Sequence, residues 1–386
     1  MSTPRPHVPL APVLSADAFG HAHAPSVLDA GPARLVTSGR IAIANALREM
    51  QIGPGDAVLV PAYHSLSMIP PVLACGAAPV FYKVGLDAAV DLADIAAKLT
   101  PAVKVLMVTS YFGFPQALKL LRAFCDQRGL LLLEDCAHCF FGVHEDRAVG
   151  SWGDYAVASS MKFFPIYEGG CLVSARHALA APAPSGAGAG FEIKAGLNAL
   201  ENSFPYGRLP LLRALLWAPL RLKEALWALR RLAPNAAPLA PSSSDSSVEF
   251  DPAWLDKRSS WFSRTVLRRS SHGRIVERRR AHYRQLEQAL AGLPGCRPLF
   301  AHLPDGACPW MLPLWVEQPQ AVFERLLAAG VPVTRFAQSL WPGVDDSVCA
   351  NSVALSRHVL AFPCHQALRA DEVTWLGVAV NAALRV

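Results

Sequence analysis

The sequence predicts an α/β fold: a three-layer large domain around a mostly parallel central sheet, followed by a smaller C-terminal α+β domain. Three observations carry that expectation. Short, continuously apolar runs (Val58-Leu59-Val60, Val105 to Val108, Leu130 to Leu133) alternate with helical patterns, which is how strands covered on both faces of a parallel sheet read. The chain has 386 residues, too many for one small core and suited to a large domain plus a smaller one. Hydrophobic residues make up 52% and charged residues 17%, and this apolar surplus needs a large core, a subunit interface or a membrane surface to cover it.

Taken in order, residues 1–30 are rich in Pro, Ala and His without periodicity and read as an N-terminal arm. A helical pattern runs from Ser38 through Ile43, Leu47 and Met50 and stops at Gly53-Pro54-Gly55, residues that break helices. Then come the strand Val58 to Val60, a helix from Met68 to Cys75, the strand Pro79 to Phe81 and the strand Val105 to Val108. A helix from Ala117 to Arg128 leads into Leu130 to Leu133, which ends at Glu134-Asp135. Residues 31–180 are thereby assigned to the large domain. In such sheets ligands gather beyond the carboxyl ends of the strands, which is where Asp135 falls.

Residues 181–252 are assigned to linkers and a helical insertion. The Ala/Pro/Gly/Ser stretch 181–190, including Gly186 to Gly190, reads as linker, since no strand aims it at a helix start as a phosphate loop requires. Residues 206–232 carry Leu and Trp with many basic residues and one acid, Glu224. Leu222, Leu226 and Leu229 form a stripe with Arg221, Lys223, Arg230 and Arg231 off it, and Pro219 is expected to split the stretch into two helices. Such a face suits either an anionic leaflet or packing on its own subunit or a second copy. Residues 234–252 read as a second linker. Residues 253–386 form the small domain, with a basic helical segment from Trp261 to Leu290, the stretch Pro332-Val-Thr and a final helix from Asp371.

The net charge of +6 and a pI of 8.9 suit an anionic small molecule, a membrane surface or nucleic acid equally. The basic segment Trp261 to Tyr283 lacks interleaved stacking aromatics, so no nucleic-acid partner is expected. Nine scattered cysteines read as reduced thiols rather than a disulfide framework. Cys136-Ala137-His138-Cys139 is a formal C-x-x-C without a second pair at zinc spacing, so no metal is expected. With no signal-peptide layout and no apolar run of about 18 residues, the expectation is a cytoplasmic protein, with peripheral contact at the inner membrane face through 206–232 left open.

Several residues bear chemistry, each with a plainer alternative. Ser38 opens a helix as an ordinary N-cap, or helps present the N–H groups of Gly39 and Arg40 to an anion. Asp135 either caps the next turn or pairs with a protonated ring nitrogen. His138 is a buried, hydrogen-bonded histidine or a partner of a phenolic oxygen. His64 is a loop histidine or a flat group packed on an aromatic ring. Ser159 stands three residues before Lys162 and can donate to a phosphate; Gly169-Gly170 reads as a tight turn. An imine-forming lysine, an acid for a pyridinium nitrogen, phosphate donors at a helix start and a flat packing group are what pyridoxal 5'-phosphate (PLP) requires. Lys162 completes that set.

The order of these groups is what points beyond coincidence. From about Leu35 to Ser174 the chain resembles the DegT/DnrJ/EryC1/StrS family of PLP-dependent sugar aminotransferases, whose fold is the aspartate-aminotransferase-like fold type I. The resemblance rests on Thr37-Ser38-Gly39, Ile52 to Tyr63, Gly76 to Phe81, Tyr111-Phe112-Gly113, Glu134 to His138, Gly150 to Asp154 and Lys162 to Gly170. Gly330 to Thr334 and Leu360 to Leu368 match more loosely, and 176–255 does not match. The resemblance implies a PLP-transferase large domain with Lys162 as the catalytic, Schiff-base lysine and Asp135 as the pyridinium partner. It also implies that Ser38, Gly39 and Ser159 lie near the phosphate, with His138 beside the phenolic oxygen and His64 against the ring. Arg40 stands where a hydroxyl residue is customary, His138 where Gln is common, and Val157 where a serine is usual.

What the resemblance implies about function is a homodimeric aminotransferase passing an amino group from an amino acid such as glutamate to a keto-sugar, one that is nucleotide-linked, for surface polysaccharide or secondary-metabolite synthesis. Two alternatives stand beside it. One is a PLP-dependent sugar dehydratase or another PLP reaction, against which the retained Lys162 argues, since the known dehydratase branch has histidine there. The other is an inactive, membrane-associated scaffold of a polysaccharide assembly.

Overall fold

The computed structural model describes residues 6–218, 221 and 249–385. Its strands, in chain order, are β1 (Ala33–Val36), β2 (Ala57–Pro61), β3 (Ala78–Tyr82), β4 (Val103–Thr109), β5 (Leu131–Asp135), β6 (Val143–His144), β7 (Arg147–Ala148), β8 (Tyr155–Ser159) and β9 (Gly170–Val173). Seven of them form the central sheet in the order β1-β9-β8-β5-β4-β2-β3. Strands β3, β2, β4, β5 and β8 pair in parallel, while β9 is antiparallel to both of its neighbours, β8 and β1. The pair β6 and β7 makes a separate hairpin. A mostly parallel sheet covered on both faces is thus the observed architecture.

Alternation along each strand builds the layers, because successive side chains leave a sheet on opposite faces. Val58, Val60, Val105, Met107, Leu133 and Val157 face one core with α1 (Gly39–Glu49) and α2 (Ile69–Ala74). Leu59, Leu106, Val108 and Leu132 face a second core that continues into the C-terminal region. Ala156, Ala158, Cys171 and Val173 belong to a third cluster with Phe140, Phe141, Phe163 and Phe164. The helices α3 (Leu92–Ala97) and α4 (Leu118–Arg128) complete this part. Glycine at 129 has φ 66°, the left-handed conformation that closes a helix at little cost in glycine.

The C-terminal region carries an antiparallel three-stranded sheet of β10 (Cys296–Pro298), β11 (Met311–Val316) and β12 (Val359–Pro363). It is flanked by helices that we number after α5 (Ala189–Glu201), α6 (Pro210–Leu215) and α7 (Trp261–Arg269): α8 (His272–Ala289), α9 (Pro319–Ala329), α10 (Asp346–His358) and α11 (Ala370–Leu384). Helix α8 packs on α11 and on β11, and α9 packs on α11 and β12.

Three expectations are altered. The Gly-rich run read as linker instead starts α5, with Gly188 at φ 96° as its N-cap residue. The basic segment from Trp261 is two helices, not one, because the N-terminal arm inserts at the joint. Gly20 N–H donates to the Arg269 carbonyl at 3.0 Å and Ser271 N–H to that of Ala18 at 3.1 Å, leaving Ser270 extended. The arm itself is packed, with Val8, Val13 and Leu14 buried. The stripe Leu222, Leu226, Leu229 and the break at Pro219 lie outside the described residues. Among the described residues, no helix is long and apolar enough to cross a membrane.

Candidate active site

Strand ends converge on one cleft of about 520 Å³ lined by Ser38, Gly39, Arg40, Ser65, Ser67, Met68, Thr109, Asp135, His138, Val157, Ser159, Lys162 and Phe336, among others. That volume lies within the roughly 300–1,000 Å³ of ordinary small-molecule pockets. Seven of the eight residues singled out in the sequence therefore meet; the eighth, His64, is not among the lining residues.

Asp135 ends β5, where the register sets Thr109 of β4 directly beside it. Its carboxylate accepts from Thr109 Oγ1 at 3.1 Å and from the Ala137 N–H at 3.0 Å. Each oxygen thus has one protein donor, and a carboxylate oxygen has room for another. Burial pushes Asp135 above the ordinary carboxylate range, opposed by the positive charge of Lys162. Its neighbour Glu134 leaves the strand on the opposite face and accepts from the N–H groups of Gly150 at 3.1 Å, Trp152 at 2.6 Å and Gly153. Burial raises Glu134 to about 7 against those donors. The Glu-Asp pair thus divides into a loop anchor and a cleft acid.

Lys162 closes the turn after β8 and is half-buried. Desolvation pulls its amine down to about 8, with Asp135 holding it up; a buried ammonium loses hydration that water would supply. The ammonium nitrogen stands 4.9 Å from the centre of the Trp310 ring. That ring also stacks on His138 at 3.9 Å between centroids.

His138 is 1% exposed, and burial with the Lys162 charge keeps it well below its usual range, hence neutral. Its Nδ1 accepts from the Phe112 N–H at 3.4 Å. The proton is thereby assigned to Nε2, which can act as a donor.

The opposite end of the cleft is the start of α1. Ser38 caps it, its Oγ accepting from the Ile41 N–H at 3.4 Å. First-turn N–H groups have no intrahelical acceptor and carry the positive end of the helix dipole. Ser159 adjoins this end: a Cβ built on Gly39 lies 3.5 Å from the Ser159 Cβ. Close approach explains Gly170, where a Cβ would sit 2.5 Å from the Ser38 carbonyl carbon. Arg40 lies at the rim, its guanidinium donating to the Glu249 carbonyl; burial lowers it.

His64 departs from its expected place against a ring in the cleft. Its Nδ1–H donates to the Ala62 carbonyl at 2.9 Å, its Nε2 accepts from the Trp341 N–H at 3.0 Å, and its ring stacks on Phe81 at 5.0 Å. Burial holds it down at about 4. One ring nitrogen is thus spent within the loop after β2 and the other on the C-terminal region, and both are occupied away from the cleft lining.

Sequence reasoning missed Thr109, Trp310, Phe336 and the serines Ser65 and Ser67, which bond each other at 2.9 Å. Only Thr109 had a local signal, a polar residue at the end of an apolar strand; Trp310 and Phe336 arrive from the C-terminal region. Glu168 lies in the turn that follows Lys162. It is buried and accepts from Ser259 Oγ and from both the N–H and Oγ of Ser260, fixing the start of α7 behind the Lys162 turn.

The donor set fits a phosphorylated aromatic aldehyde. A helix start and a serine suit a phosphate, a buried carboxylate with spare acceptor capacity suits a ring N–H, and a lowered amine stands between them.

The DegT/DnrJ/EryC1/StrS aminotransferase family model matches residues 26–195. GDP-perosamine synthase of Vibrio cholerae is 32% identical over 145 residues, 37% of this chain and 40% of that protein. UDP-N-acetyl-3-dehydro-alpha-D-glucosamine 3-aminotransferase of Acidithiobacillus ferrooxidans is 35% identical over 145 residues, 36% of this chain and 38% of that protein. The chain thus matches about two fifths of the length of these curated relatives. Among solved structures, NtdA of Bacillus subtilis with bound cofactor PMP superposes with a TM-score of 0.63 at 15% identity, covering 95% of this chain and 78% of that one. That likeness extends the shared fold over the C-terminal region.

Proposed function

We propose that this chain, whose residues 26–195 match the DegT/DnrJ/EryC1/StrS aminotransferase family model, is a PLP-dependent aminotransferase acting on a nucleotide-linked keto-sugar with glutamate as donor. The observation that carries the reading is the single cleft holding Asp135, His138, Lys162 and the start of α1. The sugar-nucleotide names of the two relatives support the acceptor class.

When bound, PLP supplies an electron sink that makes a proton on the amino-bearing carbon labile. The chain's own groups would do the rest. Ser38, Gly39, Ser159 and the Arg40 charge would hold the phosphate, with the dipole of α1 favouring an anion. Asp135, backed by Thr109 and the Ala137 N–H, would keep a proton on the ring nitrogen. His138 would donate through Nε2 to the phenolic oxygen. Lys162 would hold the aldehyde at rest and, once displaced by a donor amine, carry the proton between two carbons. With its amine near 8, it accepts and returns a proton at neutral pH without a large penalty either way. Ile43, Met68, Val157 and Phe336 line the same cleft and exclude water from the reacting face.

We place the boundaries of the working units at 31–180 for the cofactor-binding part and 253–386 for the smaller part. A homodimer is part of the proposal, supported by Ile193 and Trp261, 62% and 64% exposed and adjacent because the Trp261 N–H donates to Glu192 at 2.7 Å. Peripheral contact with an anionic leaflet from the cytoplasm is supported by Leu211, Leu215 and Trp217, 81%, 80% and 64% exposed, beside Arg213. Flotation with anionic vesicles tests it: Leu215→Ser with Trp217→Ser should lose binding, and equal flotation of wild type and variant would refute it.

Glutamate added to the PLP-loaded protein should shift its absorbance to that of the amine form of the cofactor and release 2-oxoglutarate. A nucleotide-linked keto-sugar should then restore the original band. A band that glutamate leaves untouched contradicts glutamate as donor, and one that no amino acid alters contradicts transamination.

A further inference from the structure

Arg279 on α8 is fully buried, yet its hydrogen-bond partners among the described residues are all neutral. Its Nε donates to Gln366 Oε1 at 2.9 Å, its Nη1 to the carbonyls of Pro309 and Trp310 at 3.2 and 3.0 Å, and its Nη2 to the carbonyl of Lys162 at 3.0 Å. The guanidinium lies 4.4 Å over the Phe163 ring, and Gln366 Nε2 donates in turn to the Phe163 carbonyl at 2.7 Å. Burying a charge beside neutral partners alone is costly, and a fork of fixed donors points to a task that a neutral side chain cannot perform.

The geometry shows that task. The same planar fork holds the main chain of Lys162 and the main chain of Trp310, and the Trp310 ring is the surface over which the Lys162 amine stands. Only a group with several fixed donors spans carbonyls from two segments and a side-chain amide at once. We propose that Arg279, oriented by Gln366, is a positioning residue that fixes the Lys162 amine against Trp310 and Asp135, tying the reactive lysine to the C-terminal region. This rests on the reading of Lys162 as the reactive amine. Arg279 is not among the residues lining the cleft; it acts through Lys162 and Trp310.

The test reads Lys162 itself, in full-length protein without cofactor, by competitive acetylation across pH with mass spectrometry of the Lys162 peptide. Wild type should be half-reactive near pH 8. In Arg279→Met the lysine leaves its dry position, and the midpoint should rise by about one unit or more toward the ordinary lysine value. Arg279→Lys, which keeps the charge but not the fork, should show most of that rise, and Gln366→Leu a smaller one. Arg280→Met is the control, since the partners of Arg280 among the described residues are the carbonyls of Pro304 and Ala307 and the Asp305 carboxylate, away from Lys162; it should leave the midpoint unchanged. In loaded enzyme, Arg279→Lys should lower kcat about tenfold or more with KM little altered. If Arg279→Met does not fold, Arg279→Lys and Gln366→Leu decide. Folded variants whose Lys162 titrates as in wild type overturn the proposal. Because the acetylation needs no cofactor, that failure is distinct from a failure to bind PLP.

Discussion

Thr109 and Asp135 face each other as register partners on adjacent parallel strands, and the hydroxyl of the first donates to the carboxylate of the second at 3.1 Å. The acid of the cleft is therefore held by the sheet itself rather than by a loop. A side chain fixed in this way keeps its free lone pairs pointed at one place.

Replacing Asp135 by Asn keeps the shape and removes the charge. Because Asp135 holds the Lys162 proton on, the lysine midpoint in the cofactor-free variant should fall below the wild-type value. Turnover should drop by about a hundredfold or more, the scale of removing one preorganised electrostatic partner. Labelling across pH and steady-state kinetics check the two halves separately.

Lys162 carries its own pH signature. With its amine at about 8 instead of 10.5, the unprotonated, nucleophilic fraction grows as pH rises through 8. The rate at which PLP becomes attached should follow that curve, measured by stopped-flow absorbance between pH 6 and 10. Lys162→Arg should abolish attachment while leaving the fold intact by circular dichroism.

His64 supports stability rather than the cofactor. Its folded-state value of about 4 lies below its ordinary 6.5, so between these values the unfolded chain binds more protons. Stability is therefore lost as pH falls from 6.5 toward 4. The shift sets an upper scale of about 3 kcal/mol. His64→Gln should flatten this part of the urea-derived stability curve and lower neutral-pH stability by about 1–3 kcal/mol, since two buried hydrogen bonds are disturbed. Its PLP affinity should stay within a few-fold of wild type.

Gly170 tests the phosphate end. A Cβ there would meet the Ser38 carbonyl and, at 2.7 Å, the Gly39 nitrogen. Gly170→Ala should push β9 away from the start of α1, costing about 1–3 kcal/mol as overpacking does. Affinity for PLP should fall more than affinity for unphosphorylated pyridoxal, a comparison that titration of the two vitamers makes directly.

The legible part of this protein was the part written in local pattern. Apolar runs between helical stretches gave the parallel sheet because strands covered on both faces need no polar alternation. The strand-end Asp135 and the turn bearing Lys162 then fell where such a sheet places ligands. Antiparallel β9 was not legible, since its four residues are as fully buried as those of β8, which pairs in parallel on its other side. Gly188 read as linker because a glycine cap and a flexible glycine look alike in sequence. His64 misled because a histidine after a strand can turn either way, and it is the distant Trp341 N–H that decides. Trp310, Phe336 and Arg279 lie far along the chain from Lys162, and only the packed C-terminal region brings them to it.

The central claim is that Lys162 carries the cofactor. Purified protein should be incubated with PLP, reduced with borohydride, digested and mapped by mass spectrometry. The account predicts one phosphopyridoxyl group, on Lys162, absent from Lys162→Ala. A modification on another lysine, or wild-type protein that acquires none, would contradict it.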